Sequence, residues 1–119
     1  MITQDYVYNA VITKVVDGDT VDAKVDLGFT VSVDIRFRLY GLDTMETNDK
    51  DEAKRALGLK AKQFVTEKIL NKQVTLKSRK TDKYGRWLAE IFINGESINQ
   101  TLLNEGLAVQ YDGGAKNGA

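Results

Sequence analysis

Val31-Ser32-Val33-Asp34-Ile35-Arg36-Phe37-Arg38-Leu39, running on into Tyr40-Gly41-Leu42-Asp43-Thr44-Met45-Glu46, is the stretch on which the fold turns. Val31, Val33, Ile35, Phe37 and Leu39 alternate with Ser32, Asp34, Arg36 and Arg38. Alternation of this length predicts a half-buried antiparallel strand, apolar on one face and charged on the other. Gly41 then breaks the strand, and two carboxylates follow, Asp43 and Glu46. Groups that grip phosphate thus stand beside groups that grip a cation.

Working outward, Tyr6 to Val16 is rich in β-branched and aromatic residues and reads as a strand. Asp17-Gly18-Asp19-Thr20 supplies turn chemistry, and Val21 to Leu27 alternates again up to Gly28. These three strands form a curved meander. Thr47 to Asp51 reads as a polar, mobile loop. From Glu52 to about Leu70, Ala53, Ala56, Leu57, Ala61, Phe64, Val65 and Ile69 recur at helical spacing and predict the main helix. Gly58 inside it costs about 1 kcal/mol against Ala, which implies a kink or a close approach.

Gln73 to Ser78 and Trp87 to Ile93 are further strands, joined by the polar loop from Arg79 to Arg86. Asn94-Gly95 signals a two-residue turn. Ser97 with Gln100 resembles a capping box that opens a short helix, Ile98 to Glu105, stopped by Gly106. Leu107 to Tyr111 is expected to pair or pack. The pattern predicts an α+β, mainly β domain over residues 1–111, a five-stranded Greek-key barrel of the oligonucleotide-binding (OB) type with two packed helices. Residues 112–119 are Gly-rich with little apolar content and are expected to be a disordered tail.

Composition narrows the chemistry. Across 119 residues there is no histidine and no cysteine, which excludes serine–histidine triads, cysteine nucleophiles, structural zinc and disulfides. Catalysis would rest on carboxylates, cations, hydroxyls and an oxygen-loving metal. Seventeen basic residues balance 17 acidic ones, whereas a non-specific coat for nucleic acid is usually strongly basic. No apolar run has the length of a membrane helix, and no export signal is visible. The expected location is therefore where the chain is made, unless a leader has been removed.

The acidic pairs have a plain reading as turn and loop residues. It gives way if Asp19, opening the second strand, and Asp43, following the third, meet at one end of the meander. Two carboxylates, a carbonyl and waters would then suit calcium or magnesium. Arg36 is expected to pair across the strands with an aspartate. Arg38, nearer the turn, suits a phosphate through its planar fork. Lys77, Arg79, Lys80, Lys83 and Arg86 form a local basic excess, and the Tyr84 ring among them could stack on a base. Trp87 reads as a core or hairpin residue.

Taken together, Asp17-Gly18-Asp19-Thr20, Arg38 to Glu46, and Thr81-Asp82-Lys83-Tyr84-Gly85-Arg86 resemble the thermonuclease (staphylococcal nuclease-like) family, in order and approximate spacing from about Ala10 to Tyr111. The resemblance implies an OB-type barrel and a calcium-dependent endonuclease on DNA and RNA, with single-stranded or unpaired regions preferred, 3′-phosphate products and a monomeric state. It implies that Asp19, Asp43 and the Thr44 carbonyl ligate Ca2+. Glu46 would handle the attacking water, Arg38 and Arg86 the scissile phosphate, and Lys83 and Tyr84 a terminal phosphate. Three features depart from the pattern: Met45 stands where a proline is usual, implying a less rigid loop; Trp87 stands where a small residue is frequent; and a third, C-terminal helix has no counterpart. Because nuclease-like domains also serve as interaction units, a non-catalytic module binding nucleic acid or protein is the alternative. The complete set Asp19, Arg38, Asp43, Glu46 and Arg86 favours activity.

Overall fold

The computed structural model describes residues 6–79 and 86–111. In chain order the elements are β1 (Tyr6–Asp17), β2 (Thr20–Gly28), β3 (Val31–Leu39), β4 (Leu42–Asp43), α1 (Glu52–Ile69), β5 (Gln73–Arg79), β6 (Trp87–Ile93), β7 (Glu96–Ser97), α2 (Ile98–Asn104) and β8 (Val109–Gln110). β1 pairs antiparallel with β2 and β5, β2 with β3, and β5 with β6. A parallel ladder, Phe37 to Trp87 through Leu39 to Ala89, joins β3 to β6 and closes a five-stranded barrel. This is the expected OB-type architecture, with α1 and α2 packed on it. Among the described residues no helix is long and apolar enough to cross a membrane.

The core follows the alternation, with two informative slips. In β1 the inward residues are Ala10 and Ile12 but then Val15, because the ladder shifts register between Ile12 and Lys14 and again between Val15 and Asp17. Such bulges bend a strand and strengthen its twist, which a closing sheet needs. The other slip corrects the sequence reading of β3. Phe37 and Leu39 are buried and Ile35 half-buried, but Val31 and Val33 are 53% and 36% exposed, as is Leu27 on β2 at 44%. β1 accompanies β2 only as far as Asp26, and β6 meets β3 only from Phe37. Residues Leu27 to Val33 therefore pair only within the β2–β3 hairpin, and their apolar side chains are left exposed.

α1 starts where Asp51 accepts hydrogen bonds from the Ala53 and Lys54 amides and covers the barrel with Ala61, Val65 and Ile69, a stripe at four-residue spacing. Ala53 and Ala56, expected on that stripe, are exposed. In the helix's first turns Gly58 and Arg55 meet a loop, while Leu57 reaches the core. Gly58 explains the contact: a Cβ there would lie 2.6 Å from the Met45 carbonyl oxygen and 2.7 Å from that of Glu46. The glycine serves close packing. α2 begins at Ser97, whose Oγ accepts from the Gln100 amide, but the Gln100 side chain donates to Asn104 and does not complete a reciprocal box. It ends at Gly106, φ 72°, with the Leu107 amide bonded back to Leu102.

Candidate active site

The barrel brings the end of β1, the start of β2 and the end of β3 to one pole. Gly18 lets the β1–β2 turn tuck beneath α1, since a Cβ there would meet the Ala61 Cβ at 2.8 Å and Thr44 at 3.1 Å. The next residue, Asp19, is 7% exposed, and its carbonyl accepts from the Leu39 amide at 2.8 Å. Both oxygens of its carboxylate accept hydrogen bonds. Oδ1 accepts from Thr20 Oγ1 at 3.0 Å, while Oδ2 accepts from Arg38 Nη1 at 3.0 Å and from the Thr44 amide at 3.1 Å.

Arg38 is the hinge of the arrangement. On an ordinary solvent face of a strand it would be exposed, yet only 8% of it is accessible. Nη2 donates to Asp43 Oδ1 at 3.0 Å and to the Leu42 carbonyl at 3.1 Å. One guanidinium thus ties Asp19 to Asp43. Burial alone opposes its charge, but the two aspartates outweigh burial through charge and hydrogen bonding, and the Arg38 pKa is raised above its ordinary value.

A short strap covers it. β4 pairs with β8, Leu42 with Gln110 and Asp43 with Val109, and the Tyr111 amide donates to the Gly41 carbonyl at 3.0 Å. Gly41 sits at φ 84°, a conformation that admits the sharp exit from β3. The Tyr111 ring then lies over the Arg38 guanidinium, 5.2 Å from carbon to ring centroid. Asn99 of α2 fixes the same corner from behind. Its amide donates to the Tyr40 and Ala89 carbonyls, and its oxygen accepts from the Ile91 amide.

Glu46 is exposed on the loop beyond Thr44. Its backbone is braced by Gly58 on one side, and on the other the neighbouring Thr47 hydroxyl donates to Asp17 Oδ1 at 3.0 Å. Met45 therefore sits in a loop held from two sides, without proline. Arg86 is exposed immediately before β6 and lines a cleft of about 420 Å3 together with Thr20, Arg36 and Arg38. Lys83 and Tyr84 lie outside the described residues, as does the tail from residue 112.

Arg36 is the expected cross-strand partner. It meets Asp22 through Nε at 2.7 Å and Nη2 at 3.1 Å, at a solvent-exposed position. The hydrogen bond from Arg36, opposed by slight burial and aided by charge, lowers the Asp22 pKa, and the same contact raises that of Arg36.

The chemistry of the donor set matches an oxygen-loving divalent cation. Two carboxylates converge, and Thr44 Oγ1 is buried without a partner among the described residues. No group of three or more acidic side chains gathers among the described residues, so Glu46 stands apart from the Asp19–Asp43 pair. Sequence reasoning missed Asn99 and Tyr111. An asparagine within the buried stripe Ile98–Leu102 was a usable signal, whereas nothing local marks Tyr111.

A sequence model described as staphylococcal nuclease homologue matches residues 36–118. The chain is similar to a thermonuclease of Staphylococcus intermedius, 35% identical over 99 residues, covering 82% of this chain and 56% of that protein. It is similar to an uncharacterized protein of Methanocaldococcus jannaschii, 33% identical over 133 residues, covering 92% of the chain and 61% of that protein. It is also similar to the SPbeta prophage-derived endonuclease YokF of Bacillus subtilis, 35% identical over 100 residues, covering 82% of the chain and 32% of that protein. The chain spans 56% and 61% of the first two relatives' length and about a third of the last.

Proposed function

Since the chain belongs to the staphylococcal nuclease homologue family, we propose that it is a calcium-dependent endonuclease that hydrolyses phosphodiester bonds of DNA and RNA and leaves 3′-phosphate ends. The observation that carries this reading is the convergence of Asp19, Arg38 and Asp43 in one buried cluster beside a cleft that Arg38 shares with Arg86.

Asp19, Asp43 and Thr44 would hold the calcium ion, which supplies positive charge against the charge that builds on the phosphoryl oxygens. Arg38 spends three N–H groups on Asp19, Asp43 and Leu42, which leaves donors of its fork for a phosphate oxygen. Arg86 supplies the opposing cation. Glu46, exposed on the loop two residues beyond Thr44, orients the attacking water and takes its proton as oxygen bonds to phosphorus. The bond from phosphorus to the 5′ oxygen breaks, that oxygen takes up a proton, and the phosphate stays on the 3′ side. Lys83 and Tyr84 extend the contact to a terminal phosphate. The proposed partners are single-stranded or unpaired DNA and RNA, taken up by a monomer.

Digestion of plasmid and RNA with calcium, with chelator, and by Glu46→Gln tests the reading. Nicking should require calcium and fall by on the order of a hundredfold or more in the variant. Equal digestion by wild type and variant would remove Glu46 from the chemistry. Tight nucleic-acid binding without digestion would favour the non-catalytic binding module instead.

A further inference from the structure

We propose that the indole of Trp87 is a stacking platform for the nucleobase that flanks the phosphate held by Arg38 and Arg86. The proposal rests on the nucleic-acid reading of the site and assigns it a base-binding subsite.

The pattern of β6 makes Trp87 an inward residue, of the same parity as the buried Ala89 and Ile91. It is nevertheless 47% exposed. β6 begins at the rim of the barrel, and the ring falls where β3 and β6 part. A single exposed aromatic residue calls for no explanation by itself. Its surroundings do. Trp87 and Ile35 both line the cleft of about 420 Å3 that contains Arg38 and Arg86, a size within the range of small-molecule sites. The same two residues also line an adjoining cavity of about 110 Å3 with the apolar side chains Tyr8, Val25, Leu27 and Phe37. The cleft therefore has a cationic end and an apolar, aromatic end.

Charge divides these ends further. Asp34 is the acid of the lining against Arg36, Arg38 and Arg86, and Arg38 keeps N–H groups beyond the three given to Asp19, Asp43 and Leu42. In the ladder Trp87 is paired with Phe37, beside Arg38, and it directly follows Arg86. Successive strand side chains point to opposite faces, yet at this rim Arg38, Arg86 and Trp87 all line one cleft, so phosphate and base would lie within the reach of one nucleotide. A ligand with an anionic group and a flat apolar ring at that spacing is a nucleotide. Base–aromatic stacking is tolerant of sequence, which suits a cleft with few other polar groups at its apolar end.

Trp87 is the sole tryptophan of the chain, so its fluorescence reports the contact directly. The full chain in calcium buffer is titrated with a phosphorothioate dinucleotide, with the same molecule made abasic on either flank, and with inorganic phosphate. Anisotropy of a labelled copy gives binding independently. The base-bearing dinucleotide should quench the indole, and one of the two abasic forms, like phosphate, should not. Trp87→Ala should weaken binding of the base-bearing form roughly tenfold or more and leave the matching abasic form unchanged, with Trp87→Phe close to wild type. Binding by anisotropy with no fluorescence change overturns the proposal. So does an equal loss on base-bearing and abasic forms, or a Trp87→Phe variant as weak as Trp87→Ala. Quenching by a chain that cuts no plasmid would leave the platform standing and remove the nuclease reading. Cutting without quenching would do the reverse, and absence of any binding would remove both.

Discussion

Arg36 and Arg38 stand two residues apart on the same face of β3, and each reaches carboxylates at hydrogen-bond distance. The Arg36 side chain is 59% exposed and that of Arg38 is 9% exposed. The first makes a fork to a single aspartate in water, where solvent screens charge and such pairs contribute little. The second holds two aspartates together under a strap of chain, where removing one partner leaves buried charge uncompensated. Residue type, strand and face are the same. The partners and the cover differ, and the cover comes from β8 and Tyr111, far along the chain.

The largest effect should come from exchanging the two positions for alanine. Arg38→Ala leaves Asp19 and Asp43 facing each other and should cost about 3–5 kcal/mol in denaturant unfolding. It should also lower cleavage by on the order of a hundredfold or more. Arg36→Ala should leave both the unfolding midpoint and the cleavage rate close to wild type. Similar losses for the two variants would break the distinction.

Tyr111 sharpens it. Tyr111→Ala removes the ring over the guanidinium and should cost about 1 kcal/mol in unfolding free energy. Tyr111→Phe keeps the ring face and should cost little. A phenylalanine variant as unstable as the alanine one would show that the hydroxyl, and not the ring, holds the strap.

The smallest effect concerns pH. The folded pKa of Asp22 is lowered, chiefly by the Arg36 hydrogen bond, so the pair contributes stability above the ordinary carboxylate pKa of about 3.9 and loses it as pH falls through the lowered folded value. Asp22→Asn should therefore be slightly less stable than wild type at pH 6 and converge with it under acid unfolding below about pH 4. A constant difference across that range would mean that the pair's ionisation contributes nothing.

Local pattern carried much of the fold because each strand's alternation and each cap states its own preference. β3 lies where its alternation put it, and α1 starts at Glu52 as its periodicity required. Failures came where burial depends on a distant neighbour. Val31 and Val33 have a strand's pattern but no cover beyond the hairpin, and Ala53 and Ala56 have the helical period but are exposed. Trp87 has the parity of a core residue and sits at a rim. The bulges in β1 shift its inward face and leave no mark in composition.

The candidate site divides in the same way. The sequence determined its chemistry by itself. Without histidine or cysteine, carboxylates, Arg, Lys, Tyr and hydroxyls remained, and the turns after Val16 and Leu39 supplied the carboxylates. It also separated Arg36 from Arg38, because distance from the turn is a local property. Only the tertiary structure decided that one guanidinium joins Asp19 to Asp43, that Gly58 admits the Glu46 loop, and that Tyr111 closes over Arg38. Those contacts depend on barrel closure through the parallel β3–β6 ladder, a pairing of strands far apart in sequence. Local propensity cannot encode which remote backbone excludes water from a charge, and in this molecule that exclusion separates a surface ion pair from a site.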